Sequence, residues 1–112
     1  MGYDRGDVWW GPAPHKSSPS YRPWVIISDT THPFSHTECI VLALTTQQHA
    51  AGIKVPTTAW VQGGSEKPSY ISPWYITTIK YRDFDRQQGT LAQHIIAATV
   101  EDLHGYTPLP DS

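Results

Sequence analysis

A single cysteine, Cys39, rules out an intramolecular disulfide in this 112-residue chain. No apolar stretch approaches the about 18 residues that a membrane span requires, and no charged-then-apolar leader opens the sequence. Gly6 stands where a myristoylation signal carries Ser or Thr. Together these absences predict a cytoplasmic protein with no membrane partner. Charge is sparse as well: charged residues make up 16% of the chain, and the formal net charge is −2. A general nucleic-acid binder is normally basic, so any nucleic-acid contact must come from a local patch. The charge is unevenly spread, because residues 1–82 hold seven Lys/Arg against five Asp/Glu while residues 83–112 hold one against five. Asparagine is absent, which suits a hot habitat, but six glutamines weaken that inference.

The chain is rich in tryptophan, tyrosine and proline, with five, six and ten residues respectively. Its length suits one domain, expected as an ordered core over about 5–104 and a tail over 105–112. Gly6-Asp7-Val8-Trp9-Trp10-Gly11 is an aromatic, β-branched run between glycines and predicts a first strand. A Pro/Ser loop follows from Pro12 to Ser20, carries His15 and Lys16, and ends at Tyr21-Arg22. The continuous apolar runs Pro23–Ser28 and Cys39–Leu44 predict two central strands buried on both faces. Ile53-Lys54-Val55 suits an edge strand. Tyr70-Ile71 and Trp74–Lys80 suit further strand, with Pro73 marking a strand start or a bulge. Gly89-Thr90-Leu91 predicts a short last strand. Ile96, Val100 and Leu103 have helical spacing, with Thr99 and Asp102 as an imperfect capping box. Many prolines between short β segments argue for a small, mostly antiparallel barrel rather than a helical bundle.

The order Gly6-Asp7-Val8-Trp9, polar loop, Arg22-Pro23, and an apolar strand ending in Thr45-Thr46 resembles the MazF/PemK toxin family from roughly Arg5 to Leu103. Gly89-Thr90-Leu91 resembles that family's strand before the final helix. The resemblance implies a mainly β fold, an SH3-like barrel of the MazF/PemK/CcdB type, with a short C-terminal α-helix. It also implies a homodimer that cuts single-stranded RNA without a cofactor or metal and is inhibited by a cognate antitoxin peptide. One segment departs from the family. Members commonly carry an acid, then Gln, then Arg two places on, before a Thr-Ile pair; here the stretch reads Ser72-Pro73-Trp74-Tyr75-Ile76-Thr77-Thr78-Ile79.

Metal-free RNA cleavage uses the ribose 2′-hydroxyl as nucleophile, so a protein must move two protons and stabilise a pentacoordinate phosphate. From the family, Arg22 is carried over as a catalytic residue. Its guanidinium donates two parallel hydrogen bonds to phosphate and keeps its charge, and its place just before a buried strand would fix its direction. Thr45 is carried over as a phosphate-binding hydroxyl with Thr46 as fallback, and His15 is the acid/base candidate, since some PemK-type members carry a histidine in this loop. Lys16, Tyr21 and Gln47 are candidate RNA contacts. Trp74 and Tyr75 would replace hydrogen-bond readout of a base by stacking. Plainer readings stand beside these: Arg22 paired with Asp7 or Asp29, His15 merely solvated, and most tryptophans in a core or dimer interface. His32, His36 and Cys39 have a spacing that suits zinc, but Pro33 breaks the helix that would align the two histidines. The acidic cluster Asp83, Asp85, Glu101 and Asp102 reads as a solvated face. Two other functions remain open at this point: a CcdB-like toxin that binds a protein and cuts nothing, and a lapsed RNA- or peptide-binding module.

Overall fold

The structure, a computed structural model, describes residues 3–13 and 20–111. Within them, strands β1 (Asp7–Pro12), β2 (Tyr21–Ile26), β3 (Glu38–Thr45), β4 (Ile53–Val55), β5 (Trp60–Gly63), β6 (Ser69–Lys80) and β7 (Arg86–Leu91) precede one helix, α1 (Gln93–Tyr106). All strand pairs are antiparallel, in the order β4-β6-β3-β2-β1-β7-β5. Val8, Val25, Leu42, Leu44, Val55, Ile71 and Leu91 join Ile95 and Ile96 of α1 in one buried cluster. Strands β4 and β7 stand near opposite ends of the order yet share that cluster, so the sheet is curled around it. The result is a half-barrel with α1 packed into its mouth.

The opposite face of the central strands is buried too. Trp24, Ile26, Cys39, Val41, Ala43 and Ile79 lie under the aromatic residues Tyr3, Trp9, Tyr81 and Phe84. Tyr3 stacks on Tyr81 with ring centroids 4.3 Å apart and touches Trp9 at 4.7 Å. Val25 serves one cluster while Trp24 and Ile26 serve the other, which is why β2 reads as an unbroken apolar run. The same alternation holds in β3.

Several boundaries differ from the sequence expectation. Tyr21 and Arg22 lie inside β2 rather than ahead of it, because Arg22 pairs with Gly11 and Tyr21 with Pro12. β7 begins at Arg86, three residues before Gly89. β5 was not expected: Trp60 packs on the core but Val61, Gln62 and Gly63 are exposed, and a four-residue edge strand with one inward side chain leaves no periodic signal. Tyr70-Ile71 and Trp74–Lys80 form one strand interrupted by a bulge, since Leu42 faces Ile76 while Ala43 faces Ser72. Pro73, Trp74 and Tyr75 therefore have no opposite residues on β3. A proline cannot donate to the ladder, and the bulge accommodates it. The capping box is also displaced. Ala92 is the N-cap of α1, and Thr99 lies buried in mid-helix, its hydroxyl donating to the Ile95 carbonyl at 2.7 Å. The helix runs to Tyr106, two residues into the expected tail.

Candidate functional site

A cleft of about 470 Å³ crosses the polar ends of β2, β1 and β3 and reaches β7. Arg22 is its one charged residue among those described, and the lining combines Tyr21, Thr45, Thr46, Ser20, Trp10 and Gln88, among others. Tyr21, Arg22, Thr45 and Thr46, expected to work together, are thus gathered across two adjacent strands. Antiparallel pairing does this, because the β2–β3 register brings the start of one strand beside the end of the other.

The guanidinium of Arg22 is held from several sides. Its Nη2 donates to the Leu44 carbonyl at 3.3 Å, and its Cζ lies 5.4 Å from the ring centroids of both Trp24 and Tyr75. Those two rings meet edge to face, so the cation sits in the angle between them. Arg22 Nε is buried and has no hydrogen-bond partner among the described residues. The carboxylates suggested as its partners are engaged elsewhere. Asp7 accepts from the Asp4 N–H at 2.9 Å and from the Thr90 hydroxyl at 2.7 Å. Asp29 accepts from the hydroxyl and N–H of Thr31, which hold its carboxyl below the ordinary range. Among the described residues no ion pair involves Arg22.

Thr45 closes β3, and its Oγ1 accepts the Gln47 N–H at 3.1 Å, which leaves the hydroxyl proton to donate. Gln47 itself is exposed and caps this turn through its backbone. Four buried side-chain polar atoms lack a hydrogen-bond partner among the described residues, and three belong to the cleft lining: Ser20 Oγ, Arg22 Nε and Gln88 Oε1. Buried polar groups are normally satisfied, so these three atoms are open to hydrogen bonds with water or a polar ligand in the cleft.

His15 and Lys16 lie outside the described residues. The described residues on either side, Ala13 and Ser20, both line the cleft, and the Ala13 N–H donates to the Ser20 carbonyl at 2.9 Å. The pair Trp74-Tyr75 is split. Tyr75 contacts Arg22 and Trp24, whereas Trp74 lies against His49, with centroids 4.8 Å apart, and near Tyr106 at 6.1 Å. Neither lines the cleft. Among the other aromatic residues, Trp24 is wholly buried, Trp60 packs against the core, Trp9 belongs to the aromatic cover, and Trp10 and Tyr21 line the cleft. Gln88 and Ser20 were not anticipated. The signal available for Gln88 was the glycine after it in a strand, a common mark of a bulge.

The histidine–cysteine spacing does not assemble a metal site. His32 Nδ1 accepts the Phe34 N–H, Cys39 is buried with its thiol pushed up to about 12 by burial, and no three His, Cys, Asp or Glu side chains gather among the described residues. Asp83, Asp85, Glu101 and Asp102 are all exposed, as expected.

A curled antiparallel sheet with a terminal helix and a polar cleft at the strand ends is the architecture of a class of small bacterial toxins. The structure of Mycobacterium tuberculosis toxin MazF-mt6 matches it with a TM-score of 0.71 and 20% identity, over 94% of this chain and 99% of that one. A MazE–MazF structure from Deinococcus radiodurans gives a TM-score of 0.76 at 11% identity, covering 98% and 100%. An endoribonuclease in complex with its cognate antitoxin, from a mycobacterial species, gives 0.69 at 20% identity, covering 97% and 98%. No protein of curated function is a significant sequence match. Residues 4–105 match the family of PemK-like, MazF-like toxins of type II toxin-antitoxin systems, and the chain belongs to that family. Among the described residues no helix is long and apolar enough to cross a membrane.

Proposed function

We propose that the chain is a sequence-preferring endoribonuclease that cuts single-stranded RNA by attack of the ribose 2′-hydroxyl, leaving a 2′,3′-cyclic phosphate and a 5′-hydroxyl. Toxins of this family are endoribonucleases, which supports the reading. The observation that carries it is the cleft in which Arg22, held by a carbonyl and two aromatic rings, stands with Thr45 and with buried Ser20 Oγ and Gln88 Oε1 that lack a partner among the described residues. Attack by the adjacent hydroxyl needs neither metal nor cofactor. Arg22 would stabilise the extra charge on the pentacoordinate phosphate, and Thr45 would donate to a phosphate oxygen. Because Arg22 is already oriented, little reorganisation accompanies the rise in charge. Its permanent charge makes it a poor base, so proton transfer falls to His15, whose imidazole titrates near neutral pH as an ordinary side chain. Tyr21 and Thr46, which line the cleft, are RNA contacts in this reading, and Lys16 and Gln47 are further candidates. The working form would be a cytoplasmic homodimer silenced by a cognate antitoxin peptide that occupies the cleft.

A second reading is favoured by one observation: the described cleft lining contains no carboxylate and no imidazole. If His15 does not serve, the same cleft would bind RNA and leave it intact. Both readings are tested by incubating wild type and Arg22→Ala with a long single-stranded RNA in EDTA and mapping new ends. One preorganised donor is worth about 3–4 kcal/mol, so cutting with 5′-hydroxyl ends should fall at least about 100-fold in Arg22→Ala. Binding without cutting would establish the second reading. RNA neither bound nor cut by folded, antitoxin-free protein would leave a protein-binding toxin.

A further inference from the structure

Gln88 stands at an irregularity that the RNA-cutting reading does not by itself require. On β1, Val8 faces Gly89 and Trp9 faces Gln87, so Gln88 is the extra residue of a β-bulge. Bulges re-aim a side chain, and this one lines the cleft. On the other side of β7 the backbone is clamped by glycines. A Cβ on Gly63 would fall 2.0 Å from the Gln88 carbonyl oxygen, and one on Gly89 would fall 2.3 Å from the Gln62 carbonyl oxygen. Gly63 also has φ +63, a left-handed conformation that glycine adopts freely.

The amide of Gln88 is oriented as well. Its Nε2 donates to the Gly64 carbonyl at 3.2 Å, which leaves Oε1 as a buried acceptor with no partner among the described residues. An unpaired buried acceptor is unfavourable unless water or a ligand supplies a donor. The same cleft offers a flat apolar wall in Trp10, whose ring carries the Arg86 guanidinium 4.8 Å from its centroid. A fixed acceptor beside an aromatic wall, in a cleft whose charge is Arg22, suits one nucleotide with its phosphate toward Arg22 and its base toward Gln88.

We infer that Gln88 is a specificity-determining residue that accepts a hydrogen bond from the exocyclic amine of adenine or cytosine at one position of the bound RNA. This inference rests on the RNA-cutting reading. Adenine N6 and cytosine N4 present N–H where guanine O6 and uracil O4 present lone pairs, so a fixed acceptor favours amino bases over keto bases. One such contact discriminates by roughly 5- to 150-fold.

The test is selection from a random pool of 2′-fluoro RNA, which lacks the attacking hydroxyl, by wild type, Gln88→Leu and Gln88→Met, together with cut-site mapping on ordinary RNA. Wild type should enrich adenine or cytosine at one position by roughly 5- to 150-fold. Both variants should lose that preference at that position alone. Two substitutions guard against one that fails to fold. An unchanged amino-over-keto ratio in either folded variant, or no such preference in the wild type, overturns the inference. If ordinary RNA is cut with the same base preference by wild type and variants, this inference fails and the nuclease reading stands. If wild type selects an amino base through Gln88 yet cuts nothing, the nuclease reading fails and this inference stands.

Discussion

Replacing Tyr75 by leucine removes one of the two rings that bound the Arg22 guanidinium, each 5.4 Å from its Cζ. Trp24 is wholly buried in the core and remains in place. A cation–π contact is worth about 0.5–1 kcal/mol when exposed and about 2 when desolvated. Arg22 is half-buried, with a buried Nε, so about 1–2 kcal/mol is the appropriate range. If that energy holds the guanidinium in its phosphate-binding orientation, Tyr75→Leu should slow single-turnover RNA cleavage by roughly 5- to 30-fold. Tyr75→Phe keeps the ring face and should stay within about threefold of wild type. Single-turnover rates at saturating protein would measure this, with thermal unfolding run in parallel to separate positioning from folding. Cleavage by Tyr75→Leu at the wild-type rate would refute the reasoning. A loss in Tyr75→Phe as large as in Tyr75→Leu would place the effect in the hydroxyl and refute the ring contact.

Trp74→Ala should leave cleavage rate and site preference within about twofold, because Trp74 does not line the cleft; losing its contacts with His49 and Tyr106 should cost about 0.5–1.5 kcal/mol and lower Tm by roughly 3–10 °C. A changed cut-site preference would return Trp74 to the RNA-binding surface. Cys39 should react with iodoacetamide at pH 8 far more slowly in the folded protein than in urea, since burial both shields the thiol and pushes it up to about 12 from the ordinary 9.0. The same difference makes stability fall as pH rises through the interval from 9.0 to about 12, where the unfolded chain has released the Cys39 proton and the folded chain has not. The raised Tyr81 acts in the same direction, and a stability that stays flat or grows across that interval would contradict both assignments.

Much of the fold was legible from local pattern. The unbroken apolar runs of β2 and β3 announced strands buried on both faces, and the structure packs Val25 and Leu42 into one cluster and Trp24 and Val41 into the other. Pro73 pointed to a strand start or a bulge because its missing N–H is a property of the residue itself, and the structure has the bulge. Arg22, Thr45 and Thr46 were recognised through the ordered resemblance to a toxin family, and their proximity in one cleft follows from the antiparallel pairing of β2 and β3.

Tertiary structure alone decided the rest. Trp74 and Tyr75 are neighbours in sequence and looked like one stacking platform, yet the β6 bulge sends Tyr75 to Arg22 and leaves Trp74 beside His49 and Tyr106. Thr99 looked like a cap and proved to be buried, because helix position depends on where α1 meets the curled sheet. Gln88 carried no sequence signal of function. Its role as an oriented amide arises from two glycines on separate strands, Gly63 and Gly89, whose close approach no local window contains. Apart from β5, the sequence by itself determined which segments become strands and helix, since periodicity and backbone restriction act over a few residues. Which side chains share the cleft depended on register and bulges between strands distant in the chain, and those are settled only when the sheet closes on its core.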